Sequence, residues 1–277
     1  MTMSRFRPGS LLLASLLMAA LGLTACVQVP EQGGSASGAR PTRDIPTASD
    51  DSEVRRRARI RLELATTYYQ QGQLTTALDE LKQAESIDPR LPATHELRAL
   101  IYDAMGDAER AEASFRRAMD LDPSNGSVMH NYAWYLCGRT QYAAADSLFA
   151  RAMAFPMTVD TSRTLLARGV CQMRAGLFAE AEKTLLASYE VDSGNPATAY
   201  NLATVLHRRG ELERARFYVR RVNNVAEQVT ADSLWLAARI EHRLGNIAGR
   251  NELGSQLRTR FPASREATAL ELGRFDE

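Results

Sequence analysis

The 277-residue sequence has almost no net charge: 34 Lys and Arg stand against 33 Asp and Glu, a formal +1. Without a basic excess there is no field to gather nucleic acid, which argues against a general nucleic-acid binder. Cysteine is scarce. Three residues, Cys26, Cys137 and Cys171, cannot staple a disulfide-dense miniprotein or complete a four-cysteine zinc site. Aromatics make up 7% of the chain, and no apolar run approaches the roughly 20 residues of a membrane-spanning helix. The sequence also lacks His-Glu-x-x-His, Gly-x-Ser-x-Gly, Gly-x-Gly-x-x-Gly and a Gly-rich phosphate loop with Lys. Its four histidines (His95, His130, His207 and His242) include none at i, i+4 spacing, so no metal site, cofactor or catalytic residue is read from it. A 45% apolar and 24% charged composition is that of an ordinary globular protein.

The first stretch reads as an address. Arg5 and Arg7 precede an uncharged apolar run from Leu11 to Leu23, and small residues follow, the pattern of a secretory signal peptide. Leu23-Thr24-Ala25-Cys26 resembles a bacterial lipobox, in which the cysteine becomes the acylated first residue of the mature protein. Acyl chains hold a protein at a membrane because each buried methylene contributes about 0.8 kcal/mol. Val27 rather than Asp follows Cys26, which by analogy with known lipoproteins directs the protein to the outer membrane. Residues 1–25 are therefore expected to be removed, Cys26 to be the lipid anchor, and 26–52, rich in Gly, Ser, Pro, Thr and Asp, to be a flexible tether. Loss of Arg5 and Arg7 leaves 32 basic against 33 acidic side chains in the mature protein.

The remainder, 53–277, has an internal period of about 34 residues. Ala77, Ala111, Ala145, Ala181 and Ala215 fall at steps of 34, 34, 36 and 34. Gly72, Gly106, Gly176, Gly210 and Gly245 mark the turns between helical patterns, with Thr140 in the one missing place. Small residues precede the repeat alanines by twelve (Ala65, Ala99, Ala133, Gly169, Ala203), and large apolar ones follow by four (Leu81, Phe115, Phe149, Leu185). Small residues let paired helices approach; large ones fill the space toward the next pair; Gly ends one helix and Pro stops it running into the next. The pattern resembles the tetratricopeptide repeat. That resemblance implies an all-α, right-handed superhelical solenoid of six repeats at 58–91, 92–125, 126–159, 162–195, 196–229 and 231–264. The sixth diverges, with Arg250 and Gly254 where Ala and a large apolar residue are expected. A capping helix from Ser264 to Leu272 closes the array. Two extra residues near Pro156-Met157-Thr158 predict a looser third junction.

Cys137 and Cys171 lie 34 apart, one repeat length, in an oxidising compartment if the address is right. They are either a disulfide, worth roughly 3–4 kcal/mol in the chain-entropy model, or two buried thiols. The runs Arg55-Arg56-Arg57-Ala58-Arg59 and Arg220-Arg221 either meet an anionic partner or, the commoner explanation, form solvated helix faces. In such a solenoid the first helix of each repeat lines the concave face, and its inward stripe offers groove candidates: Leu62, Tyr69, Leu100, Asp103, His130, Trp134, Met173, Tyr200, His207, Trp235 and Arg239. The mixed surface suits an extended peptide or a helix more than a carboxylate clamp.

Lipobox, tether and six repeats together resemble the outer-membrane lipoproteins of type IV pilus biogenesis, the PilF/PilW family. The more specific segments are His130-Asn131-Tyr132-Ala133-Trp134-Tyr135-Leu136-Cys137, the Cys137 and Cys171 pair, and Asp232 through Glu241 ahead of Leu244-Gly245-Asn246. The resemblance implies a non-enzymatic pilotin, lipid-anchored at the outer membrane with its solenoid facing the periplasm. Such a protein binds the type IV pilus secretin and promotes its localisation and multimerisation. A tetratricopeptide lipoprotein scaffold for outer-membrane protein assembly, peptidoglycan enzymes or proteases shares the generic features and lacks only the pilus-family segments.

Overall fold

A computed structural model describes residues 48–276. The signal peptide, Cys26 and all but the end of the tether lie outside the described residues. Among those described, six helical hairpins follow one another. They are α1 (Ala48–Gln70) with α2 (Leu74–Ile87), α3 (Pro92–Ala104) with α4 (Ala108–Leu121), and α5 (Gly126–Gly138) with α6 (Tyr142–Ala152). Next come α7 (Thr161–Arg174) with α8 (Phe178–Val191), α9 (Pro196–Arg208) with α10 (Leu212–Asn223), and α11 (Ala231–Arg243) with α12 (Ile247–Arg260). A last helix, α13 (Arg265–Glu271), stands alone, and there is no strand among the described residues. No helix there is long and apolar enough to cross a membrane.

Each hairpin closes in the same way. Gly72, Gly106, Gly176, Gly210 and Gly245 take φ of 72–79°, and Thr140 takes 60°. The residue after each donates its N–H back to the first helix, as Gln73 does to the Tyr68 carbonyl at 2.9 Å and Gln141 to the Leu136 carbonyl at 3.0 Å. This left-handed cap satisfies carbonyls that a helix end would otherwise leave open, and it turns the chain into the second helix. Buried Ala65, Ala99, Ala133 and Ala203 allow each pair close approach. At Gly169 a Cβ would stand 2.6 Å from Leu185 Cγ, so only glycine fits there.

The first helices of successive hairpins touch one another (α1 and α3, α3 and α5, onward to α11 and α13), whereas the second helices scarcely do. A layer whose neighbours are closer is the inner layer of a curved stack, so the first helices line the concave face.

Four places depart from the expected frame. The first helix begins at Ala48, within the segment read as tether. No Pro or Gly follows Pro46 until Gly72, so nothing in the sequence interrupts a helix there. The arginines of that run are exposed, as a solvated face requires. The third junction is longer but stitched: Thr158 Oγ1 accepts from the Gly126 N–H at 2.8 Å and donates to the Ser124 carbonyl at 3.2 Å. The divergent sixth hairpin is explained by what packs on it. A Cβ at Gly254 would meet Leu270 of α13 at 3.1 Å, so Leu270 supplies the missing apolar bulk. The Arg250 guanidinium lies 5.5 Å from the Phe275 ring centre, where an alanine would leave that ring uncovered. Finally, α13 ends like a first helix: Gly273 has φ 67° and Arg274 donates to the Ala269 carbonyl at 3.0 Å. Instead of entering a second helix, Phe275 turns back onto α11.

Candidate functional site

The concave layer carries its groove candidates unevenly. At the first hairpin Leu62 and Tyr69 pack half-buried against Ala65, Leu81 and Ile101. Leu100 packs similarly on the central core, and exposed Asp103 pairs with Arg139 at 3.2 Å. Met173 is half-buried against the core of the fourth to sixth hairpins. None of these five belongs to the two depressions described next.

His130 and Trp134 on α5 form a shallow central depression with Asn131, Arg163, Leu166 and Val170. His130 itself is buried, its Nδ1 2.8 Å from Thr164 Oγ1 and its ring edge-on to Phe149 at 5.7 Å. Burial, with Arg163 nearby, pushes its pKa down to about 4, so the imidazole is neutral. It is a packing residue joining two hairpins. Trp134 is 40% exposed, and the Arg174 guanidinium sits 4.9 Å above its ring centre. Beneath this surface Cys137 and Cys171 are bonded, with Cα atoms 5.8 Å apart, tying α5 to α7.

Tyr200, His207, Trp235 and Arg239 converge. They line one open cavity of about 760 Å³ between α9, α11 and α13, within the size range of ligand clefts. Residues outside the expected stripe complete it, chiefly Thr204, Arg208, Arg243 and Asp276. His207 is buried and its Nε2 has no hydrogen-bond partner. Burial, reinforced by Arg239, Arg243 and Arg208, lowers its pKa to about 4. Arg239 donates from Nε to the Phe275 carbonyl at 2.8 Å, and Arg243 from Nη1 to the His207 carbonyl at 3.0 Å. Burial and the positive charge of Arg208 hold the Arg239 pKa below its ordinary value, opposed by Asp276. The Phe275 ring stacks on His242 at 4.4 Å and leans on Trp235 at 5.1 Å.

Arg208 and Arg243 stand at one position of the repeat, two residues before the turn glycine, and Arg174 holds the same place one repeat earlier. That ladder was available in the sequence. The stripe rule steps past it by one residue. Phe275 and Asp276 follow the last helix and carry no periodicity. Among the described residues, no group of three or more His, Cys, Asp or Glu is placed to hold a metal ion.

Six hairpins of about 34 residues, closed by one recurrent turn and presenting their first helices on a concave face, define a tetratricopeptide-repeat protein. Family models described as TPR repeat and tetratricopeptide repeat match residues 65–106, 93–125 and 166–224. The chain is homologous to the type IV pilus assembly protein PilF of Pseudomonas aeruginosa, 25% identical over 253 residues that span 91% of this chain and 95% of that protein. The crystal structure of PilW, a widely conserved type IV pilus biogenesis factor, superposes with TM-score 0.70 and 29% identity, over 77% of this chain and 97% of that one. The solved structure of P. aeruginosa PilF superposes with TM-score 0.67 at 23% identity, over 80% and 98%. YrrB, a tetratricopeptide protein with an unusual peptide-binding site, shares the fold at TM-score 0.55 and 16% identity, over 69% and 97%. The relation to PilF and PilW supports a pilus-related tetratricopeptide-repeat protein.

Proposed function

We propose that this chain is a pilotin: a lipoprotein anchored in the outer membrane through Cys26 that binds the type IV pilus secretin and promotes its localisation and multimerisation. The observation that carries the reading is the homology to PilF along 91% of the chain, joined to a lipobox at Cys26. The action is stoichiometric binding. Acyl chains supply location, the solenoid supplies recognition, and no reaction step is required of any side chain. The Gly-, Ser- and Pro-rich composition that follows Cys26 suits a linker between the lipid anchor and the repeats.

The test is a deletion strain complemented with the intact chain or with Cys26→Ser, its outer membranes fractionated and probed for heat-resistant secretin multimers. Multimers should be lost on deletion and restored by the intact chain. The Cys26→Ser form should fail to restore them at the outer membrane. Normal multimers in the deletion strain would remove the pilotin reading.

A further inference from the structure

We propose that the C-terminal pocket of the concave face binds an acidic peptide segment, whose carboxylates are taken by Arg208, Arg239 and Arg243. The inference stands on this pocket alone and holds whether or not the partner is a secretin.

Several arginines elsewhere on the solenoid pair with carboxylates, Arg98 with Glu85, Arg168 with Asp146, Arg209 with Glu182 and Arg220 with Glu241. The three pocket arginines do not. Among the described residues no carboxylate lies within 4.0 Å of any of them. Their partners are a ring and two carbonyls: Phe178 for Arg208, and the Phe275 and His207 backbones for Arg239 and Arg243. The rim acids Asp232 and Glu266 are both engaged by Arg265. Three guanidinium groups thus face one cavity of about 760 Å³ without a paired carboxylate, Asp276 acting on Arg239 only at longer range. Bringing like charges together costs stability unless an anion joins them, and planar guanidinium forks match carboxylates best.

The rest of the wall selects a peptide over a bare anion. Tyr200, Trp235 and Leu236 share the cavity wall with the charges, so a ligand that fills the pocket combines apolar and acidic groups along an extended chain. The chain's own Phe275 and Asp276 display that pattern at one edge. The ring rests on Trp235 and His242, the carbonyl accepts from Arg239, and the Asp276 charge favours the charged form of Arg239. Neutral, buried His207, with Nε2 unpartnered, adds a polar group without further charge. The sequence alone points away from a carboxylate-binding surface; the clustering of the arginines at one end reverses that reading for this end.

The probe is a fluorescein-labelled dodecapeptide alternating Asp and Phe, titrated by anisotropy with the purified full chain, beside the same peptide carrying Asn for Asp. The Asp form should bind at least tenfold more tightly. R208Q/R243Q should weaken it at least about tenfold, since hydrogen bonds to charged groups carry about 1.5–3 kcal/mol. R208K/R243K should recover part of the loss. R208Q alone, whose guanidinium lies over the Phe178 ring and makes no ion pair among the described residues, gives a smaller loss with an unchanged melting temperature and guards against misfolding of the double variant. Equal binding of the Asp and Asn peptides, or undiminished binding by R208Q/R243Q, overturns the proposal. So does binding of phosphatidylglycerol vesicles or a thymidine dodecamer through these arginines when the Asp peptide does not bind.

Discussion

The junction of the third and fourth hairpins and the end built from α9, α11 and α13 use one repeat design, yet they place polar groups to opposite effect. At the junction polar side chains close on each other: His130 with Thr164, Thr158 with the Gly126 backbone, Asp146 with Arg168 and Gln172, and a covalent bond from Cys137 to Cys171. At the end, Arg208, Arg239 and Arg243 meet a cavity with no carboxylate paired to them, and His207 keeps an unpartnered nitrogen. In a solenoid each hairpin is supported mainly by its neighbours, so stability and recognition can be assigned to different repeats without conflict. The difference teaches that the middle holds the superhelix in shape and the end presents chemistry.

The largest effect expected is at the junction. Removing the bridge with Cys137→Ser and Cys171→Ser should lower unfolding free energy by about 3–4 kcal/mol, from the entropy of a loop of one repeat length. Urea denaturation of the oxidised and double-serine proteins measures it, and intact-mass analysis after alkylation should find no free thiol at these positions before reduction. Two alkylated thiols in the unreduced protein would end the claim that the junction is locked covalently. The acidic-peptide affinity should stay unchanged in the double-serine protein, because the pocket lies one hairpin further on.

A second change breaks the comparison from the other side. Phe275→Ala removes the ring that covers Trp235, His242 and Arg250. The site is half-buried, so about 1–2 kcal/mol is expected, below the roughly 3–5 kcal/mol of a fully buried Phe. Hydrogen exchange should quicken in α11 to α13 while α5 to α8 keep their protection. Faster exchange across the whole chain would mean that the two regions form one cooperative unit.

The hairpins were legible because each is fixed by residues that recur in register: a small residue, a turn glycine, a repeat alanine and a large apolar one. The sequence showed Cys137 and Cys171 one repeat length apart, but the two-residue insertion sets them two places apart in the frame, so a bridge and two buried thiols both stayed open until the helices were placed. What escaped the sequence depends on contacts that the period does not encode. Whether His130 is groove or packing is decided by Thr164, a repeat away. Arg250 and Gly254 look like errors until Phe275 and Leu270 are seen to pack there. Charge compensation is a sum over neighbours, so an uncompensated arginine shows only once every carboxylate has been placed.

The smallest effect tests whether the junction's lock shapes its own turn. Thr140 is exposed and holds φ 60°, where its five counterparts are glycine. The left-handed conformation costs a β-branched residue about 1–2 kcal/mol, and glycine's greater freedom in the unfolded chain offsets about 0.5–1 kcal/mol. Thr140→Gly should therefore stabilise by about 0.5–1 kcal/mol, read as a raised urea midpoint with unchanged slope. The Thr140 N–H donates to the Cys137 carbonyl at 3.1 Å, so the bridge and the turn are near enough to couple. The same turn forms at Gly72, Gly106, Gly210 and Gly245 in hairpins that the disulfide does not touch. The repeat's own packing therefore suffices to impose it, and the gain should be equal in the native and double-serine backgrounds. A gain that shrinks when the bridge is absent would assign the turn to the disulfide, and the junction's geometry would then be imposed by chemistry peculiar to it.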